Sequence, residues 1–327
     1  MQENPAKTGQ KDSTPSEAVQ TASSSCKFTV SASHTGERVD RFLSENMPDQ
    51  TRSFLQKLIR EQQVSVDGVF CKANYKLKEG QCVTITIPAP QEPEIMPENI
   101  PLDILYEDDD LLIVNKPKDM VVHPAPGHLS GTLVNAVMFH CKDSLSGING
   151  VIRPGIVHRI DKDTTGSLII CKNDACHVAI AEQIKEHSVN RIYRGIVAGN
   201  FQEPEGTIEG DIGRHPVDRK KMAVVQKNGK HAVTHYRVLE QYKGASYLEF
   251  KLETGRTHQI RVHMSSVGHP LLGDPLYGNP KNPYHLNGQA LHAMTIGFVH
   301  PTTGEYMEVQ APLPEYFTKL IAKFQKN

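Results

Sequence analysis

The chain reads as an α+β protein with a mostly antiparallel sheet, preceded by a small module of helices and short strands. Three observations predict this. Apolar runs with strand character fall in neighbouring pairs more often than in alternation with helices, which favours antiparallel pairing. Five prolines, Pro88, Pro90, Pro93, Pro97 and Pro101, separate a short N-terminal region from a longer one and read as an extended, fairly stiff linker. With 327 residues, 38% of them hydrophobic and 22% charged, the chain can build a substantial core in one large domain or two.

Residues 1–26 are rich in Ser, Thr, Gln, Pro and Lys, with almost nothing to bury, and a disordered tail is expected there. From Glu37 the pattern changes. Val39, Phe42 and Leu43 have helical spacing, as do Phe54, Leu55, Leu58 and Ile59 in a second segment opened by Thr51 as N-cap. Val64 to Gly68 reads as a strand entering a hairpin turn, and Val83, Ile85 and Ile87 alternate as a closing strand. Residues 37–90 are therefore expected to form a domain of their own, 91–103 the linker and 104–327 the main domain. In the main domain strands are expected at Leu111 to Val114, Ile156 to Arg159, Ser167 to Cys171, Ile192 to Val197, Ala232 to Leu239 and Tyr247 to Leu252. Helices are expected from Thr132 to Phe139, Asp174 to Glu186, Thr257 to Val267 and in the tail from Pro314. No internal repeat is visible.

Net charge is −1, from 36 basic and 37 acidic residues, so nucleic-acid binding would have to come from locally clustered charge. Six cysteines form no Cys-x-x-Cys pair and no compact framework, as expected of free thiols in a reducing compartment. No run approaches a transmembrane span, and the N-terminus has no apolar segment of signal-peptide type. A cytoplasmic protein, not bound to a membrane, is expected.

Four segments concentrate chemistry. The first, His158-Arg159-Ile160-Asp161-Lys162-Asp163-Thr164-Thr165-Gly166, packs carboxylates, cations, a histidine and hydroxyls between two apolar runs. Alone, it reads equally as a salt-bridged turn or as reactive groups on a loop held by a scaffold. The second runs from Leu252 to Met264. Gly255 permits a sharp turn, Thr257 can cap a helix that turns Ile260, Met264 and Val267 inward, and Gly268 would stop it. Arg256 then sits just ahead of a helix N-terminus, where an anion is favoured; a structural ion pair fits it as well. His258 and His263 are five residues apart and share no helix face, so no metal site is expected. The third, Arg191 to Val197, places Arg191, Tyr193 and Gly195 on one strand face. Tyr193 could stack on a base or simply occupy a sheet. The fourth is the basic run Arg214-His215-Pro216-Val217-Asp218-Arg219-Lys220-Lys221-Met222, either a solvated loop or a phosphate-contacting arm. Arg52, Lys57 and Arg60 on the second helix are a weaker version of it.

Together these segments resemble the RluA family of pseudouridine synthases, closest to its large-subunit ribosomal RNA synthase D branch. The likeness runs from about Glu37 to the C-terminus. It is carried by Glu107 to His123 with Asn115-Lys116-Pro117, by His158-Arg159-Ile160-Asp161 with its Thr-Thr-Gly exit, by Tyr193, by the Arg214 to Met222 loop, and by Thr254 to His263. Departures are mild: Ile160 stands where leucine is common and Thr165 where serine is common. Residues 37–90 resemble the small αL, S4-like RNA-binding module. The resemblance implies the pseudouridine synthase fold, with Asp161 as nucleophile and Arg256 paired to it. It implies that Arg159 enters the RNA stack, that Tyr193 stacks on the flipped uracil and moves protons, and that Ile260 lines the pocket floor. His158, Arg214, Arg219, Lys220, Lys221, Arg52, Lys57 and Arg60 would contact RNA. The partner implied is large-subunit (23S) ribosomal RNA, at the helix 69 stem-loop, free or in an assembling subunit; a monomer is the default.

The chemistry suits the residues. Breaking the N1–C1′ bond of a uridine, turning the base and joining C5 to C1′ leaves the oxidation state unchanged, so no cofactor is required. A carboxylate can attack, or stabilise an oxocarbenium-like sugar, and an adjacent arginine opposes the desolvation of a partly buried anion. A base stacked in structured RNA has to be flipped out, at a cost of a few kcal/mol. Two rival readings remain: a non-catalytic RNA-binding protein, and a hydrolase using Asp161 and Asp163 as a carboxylate pair. Residues two apart on a loop offer no dependable acid/base separation.

Overall fold

Alternating apolar residues build one hydrophobic core in the first unit and several in the second. The computed structural model describes residues 24–88, 95–124, 129–142, 144–148 and 154–326, in two units divided after Gln91.

The first unit comprises β1 (Ser24–Thr29), α1 (Val39–Asn46), α2 (Arg52–Arg60), β2 (Val64–Val66), β3 (Val69–Phe70) and β4 (Cys82–Ile87). Its sheet is antiparallel, in the order β1-β4-β2-β3. The Thr51 hydroxyl accepts from the Phe54 N–H at 3.3 Å, which satisfies one of the open donors of α2. Val39, Phe42, Leu43, Leu55, Leu58 and Ile59 are all buried in one cluster. Asp67 and Gly68 both have positive φ, 51° and 80°, the conformation a tight hairpin requires. One expectation is corrected. Residues 24–26, placed in the disordered tail, belong to β1, where Cys26 and Phe28 pack on the core; the rest of the expected tail, 1–23, lies outside the described residues.

The second unit opens with β5 (Ile104–Glu107), β6 (Leu111–Lys116), α3 (Leu133–Cys141), β7 (Thr165–Cys171), α4 (Asp174–Lys185), β8 (Asn190–Ala198) and β9 (Glu205–Glu209). The hairpin β10 (Ile212–Arg214) and β11 (Met222–Val224) follows, then β12 (Val233–Tyr242), β13 (Ala245–Leu252) and α5 (Gln259–Ser266). The chain closes with β14 (Leu291–Val299), β15 (Tyr306–Gln310) and α6 (Glu315–Gln325). Among the described residues, nine strands form one sheet in the order β5-β6-β7-β14-β8-β13-β12-β9, with β15 on β14. Every pairing in it is antiparallel except β7 with β14. The fold is α+β, as expected.

Both faces of this sheet are covered near its centre, and period-two alternation sends successive residues to different cores. Leu112 and Val114 of β6 and Leu168 and Ile170 of β7 pack on the α3 side, with Tyr193, Phe250 and Ile260. Leu111, Ile113, Ile169 and Cys171 pack on the other side, against Cys176 and Ile180 of α4. Gly166 is required where β7 meets β14. It has φ +112°, and a Cβ there would lie 2.2 Å from the Ala293 carbonyl oxygen.

Three expected elements differ. Ile156 to Arg159 is not a strand: Ile156 makes one isolated bridge to Ile170, and the chain then leaves for the loop. The helix expected from Thr257 starts at Gln259, because its cap, His258, is left-handed with φ 58°. Val267, expected inward, caps the end of that helix and is 45% exposed. The second half of the expected linker is also packed. Ile95 is buried, Ile100 and Leu102 join the core, and Asn135 Nδ2 donates to the Met96 carbonyl at 2.8 Å; residues 89–94 lie outside the described residues.

Candidate active site

The loop before β7 is held from three directions. Lys116, at the end of β6, is fully buried, and its Nζ donates to the carbonyls of Pro117, Met120 and Lys162 at 2.8, 2.8 and 2.9 Å. Burial pushes this ammonium down to about 7, against the pull of Asp163, Asp161 and Asp119. Thr164 Oγ1 accepts from Gln289 Nε2 at 3.0 Å, and Thr165 Oγ1 meets His292 Nδ1 at 2.8 Å. His158 Nε2 accepts the Ile169 N–H at 3.0 Å. Desolvation and the charge of Arg191 push His158 down to about 3, so its ring is neutral with the proton on Nδ1.

Asp161, on this loop, is held by Arg261 of α5: Nη1 donates to Oδ2 at 2.9 Å. The other edge of the Arg261 guanidinium forks onto Asp274, Nε to Oδ2 at 2.7 Å and Nη2 to Oδ1 at 3.0 Å. Arg261 and Asp274 are both buried. Burial opposes the charge on Arg261, but the hydrogen bonds and charges of Asp274 and Asp161 outweigh it and raise its pKa. His258 Nε2 lies 3.8 Å from Asp161 Oδ1, and His258 Nδ1 meets the Tyr277 hydroxyl at 2.9 Å.

Asp161 faces a cavity of about 590 Å³, which Tyr193, Ile260, Arg159, Arg191 and Arg256 also line. Tyr193 is buried, and desolvation raises its phenol, opposed by Arg191. His158 lines the cavity too, with Nε2 committed to the loop. Five basic side chains (Arg159, Lys185, Arg191, Arg256 and Arg261) line it, and Asp161 is the one carboxylate that does so among the described residues. This is a strong local concentration of positive charge in a chain of net charge −1.

One expectation is corrected here. Arg256 does not pair with Asp161: its Nε donates to the His231 carbonyl at 2.8 Å, and its backbone N–H donates to Gln259 Oε1 at 2.9 Å. The left-handed turn at His258 delays the helix and leaves Arg256 on the cavity wall, while Arg261 reaches the carboxylate from the helix itself. Sequence reasoning missed Arg261, Asp274, Tyr277 and Lys116. The available signal for Arg261 was a charged residue flanked by Ile260 and Val262 in a buried helical stretch, which needs a partner.

The remaining basic candidates lie outside the cavity lining. Arg214, Arg219 and Lys220 are exposed, and Lys221 is half-buried, on the β10–β11 hairpin. Arg214 Nη1 donates to the Arg219 carbonyl at 3.2 Å. The Met222 N–H at the hairpin's foot donates to the Tyr277 hydroxyl at 2.8 Å, which links the hairpin to His258. In the first unit Arg52, Lys57 and Arg60 are exposed on α2, with Arg52 3.0 Å from Asp40 and Lys57 3.7 Å from Glu61.

A single carboxylate fixed by a buried cation, in a cation-lined cavity with an aromatic wall, suits an enzyme acting on a polyanion that carries a planar group. Comparison with known proteins gives this class its family. The model described as RNA pseudouridylate synthase matches residues 110–266, and the S4 domain matches 37–83. A Bacillus subtilis protein named uncharacterized RNA pseudouridine synthase YlyB is 52% identical over 92% of this chain and 98% of its own length. Ribosomal large subunit pseudouridine synthase D of Zymomonas mobilis is 46% identical over 88% of this chain and 94% of its own. Among solved structures, Human RNA Pseudouridylate Synthase Domain Containing 1 is 26% identical with a TM-score of 0.54, covering 73% of this chain and 98% of that one. The chain belongs to the RNA pseudouridylate synthase family, in its RluA group and on the synthase D branch, and is an isomerase that converts uridine to pseudouridine in RNA.

Proposed function

We propose that the enzyme isomerises specific uridines of large-subunit (23S) ribosomal RNA, at the helix 69 stem-loop, by flipping the base onto Tyr193 and using Asp161 as nucleophile. The observation that carries the mechanism is Asp161 itself, the one cavity carboxylate among the described residues, held by Arg261. Relatives at 42–46% identity named ribosomal large subunit pseudouridine synthase D support the substrate. No helix among the described residues is long and apolar enough to cross a membrane, and a ribosomal RNA substrate points to a cytoplasmic enzyme, with a monomer as the default state.

In the reaction the N1–C1′ bond breaks, the base turns, C5 bonds to C1′, the C5 proton leaves and N1 takes one up. Asp161 supplies the anion that carries the detached fragment through this exchange. Tyr193 forms the aromatic wall against which the uracil stacks and from which a phenol can move the C5 proton. Arg159, exposed at the cavity mouth, fills the gap left in the RNA stack, offsetting part of the few kcal/mol of unstacking. The basic hairpin and α2 hold backbone phosphates. A two-carboxylate hydrolase lacks its second acid, because Asp163 is not part of the cavity wall.

Tritium release from [5-³H]uridine-labelled ribosomal RNA tests this. Wild type should release tritium and yield an isomerised nucleoside of unchanged mass, and Asp161→Asn should release none. Release that persists in Asp161→Asn, or free uracil as product, overturns the assignment.

A further inference from the structure

We propose that Arg191 and Arg256 form a phosphate site inside the catalytic cavity, which takes the phosphodiester flanking the target uridine. The proposal rests on the RNA reading above and adds residues to it. Arg191 is 7% exposed, yet no carboxylate lies within 4.0 Å of its guanidinium among the described residues. Its Nη2 donates to the Glu253 carbonyl at 2.7 Å, and its Nε has no hydrogen-bond partner among the described residues. Arg256 also lines the cavity, with only its Nε engaged, on the His231 carbonyl, and no carboxylate beside it among the described residues.

Two neighbouring guanidiniums without a counter-ion are costly, and a buried one most of all. Desolvation pulls the Arg191 pKa down, Tyr193 opposes it, and the charge of Arg256 adds to the fall. For another guanidinium of the same cavity the chain does supply carboxylates, since Arg261 holds Asp161 in the cavity and the sealed Asp274 behind it. An incoming anion would satisfy Arg191 and Arg256 together, and the planar guanidinium fork matches phosphate oxygens bidentately.

Two further features identify that anion. Arg191 and Tyr193 are two apart on β8 and line one cavity, hence roughly 7 Å apart along the strand. A uracil lying on Tyr193 brings its own backbone within reach of Arg191. Gly255 keeps the space clear: a Cβ there would lie 2.7 Å from Arg191 Nη1. Gly255 is exposed and has no positive φ, so glycine is needed there for room and not for conformation. Its role is to position the guanidinium.

The test pairs protein variants with single neutral methylphosphonates placed 5′ or 3′ of the target uridine in a synthetic stem-loop. Arg191→Met should raise KM about tenfold or more while moving kcat less. One of the two methylphosphonates should impose a similar loss on wild type and almost none on Arg191→Met. Arg191→Lys should recover part of the loss, and Gly255→Ala, which keeps every charge, should lose part of it. Losses from variant and methylphosphonate that simply multiply overturn the proposal. A wild type inactive on RNA would instead sink the synthase reading. The site is still read in that case by ³¹P line broadening of inorganic phosphate on the free protein. Broadening present with wild type and abolished in Arg191→Met supports the site, and equal or absent broadening overturns it.

Discussion

Each unit contains a three-membered ionic cluster, and the two are inverted. In the first unit a fully buried carboxylate, Asp40, holds two half-exposed arginines: Arg38 Nε and Arg52 Nη2 lie 3.0 Å away. In the second a buried arginine, Arg261, holds two carboxylates, of which Asp274 is sealed and Asp161 faces the cavity. Burial works against the charge on Asp40, but hydrogen bonds from Arg38, Gln56 and Arg52 hold it down at about 2. The buried member is the anchor, and the member left open shows what each cluster presents. One presents cations on its exposed side; the other presents a carboxylate to the cavity.

The strongest way to break this comparison is Arg261→Met. It strands a buried Asp274, and should cost about 3–5 kcal/mol in urea unfolding. It should also lower turnover at saturating RNA about a hundredfold or more. Arg256→Met should leave stability nearly unchanged and raise KM; a loss of kcat as large as that of Arg261→Met would return Arg256 to the carboxylate. Next in size is pH. His158 is held neutral, with a folded pKa of about 3 against 6.5 unfolded. The unfolded state therefore binds the extra proton first, and stability is lost as pH falls from about 6.5 towards 3. Between pH 7 and 4.5 this amounts to about 2 kcal/mol, and His158→Gln should flatten that slope in denaturant titrations. Asp40→Asn should cost about 1–2 kcal/mol of first-unit stability and weaken RNA binding with kcat unchanged; a fall in kcat would contradict a purely binding role. The smallest effect is Arg52→Gln. It should leave stability within about 0.5 kcal/mol and reduce the slope of log affinity against log salt by about 0.7.

The family resemblance carried by motifs far apart in the chain implied one site for Asp161, Tyr193, Arg159, Ile260 and Arg256, and all five line one cavity. The partner of Asp161 was not legible. Choosing between Arg256 and Arg261 depends on where α5 begins, and that depends on His258 being left-handed, a conformation uncommon for any non-glycine residue although histidine adopts it more readily than most. β14 was missed for a different reason. It lies between β7, β8 and β15 and is buried over most of its length, so its apolar residues do not alternate. β1 was missed because one strand at a sheet edge, Ser24–Thr29, carries only Cys26 and Phe28 inward.

The three carbonyls gathered by Lys116 also bear on how the enzyme selects its RNA. With Asp161 as the nucleophile proposed above, a loop fixed in this way incurs no ordering cost when substrate arrives. The conformational expense then falls on the nucleic acid, and a loop or bulge already prone to open meets less of it than a paired helix. On the base-flipping mechanism proposed above, uridines would be sorted in part by how easily their own stack comes apart, before any side chain reads the base.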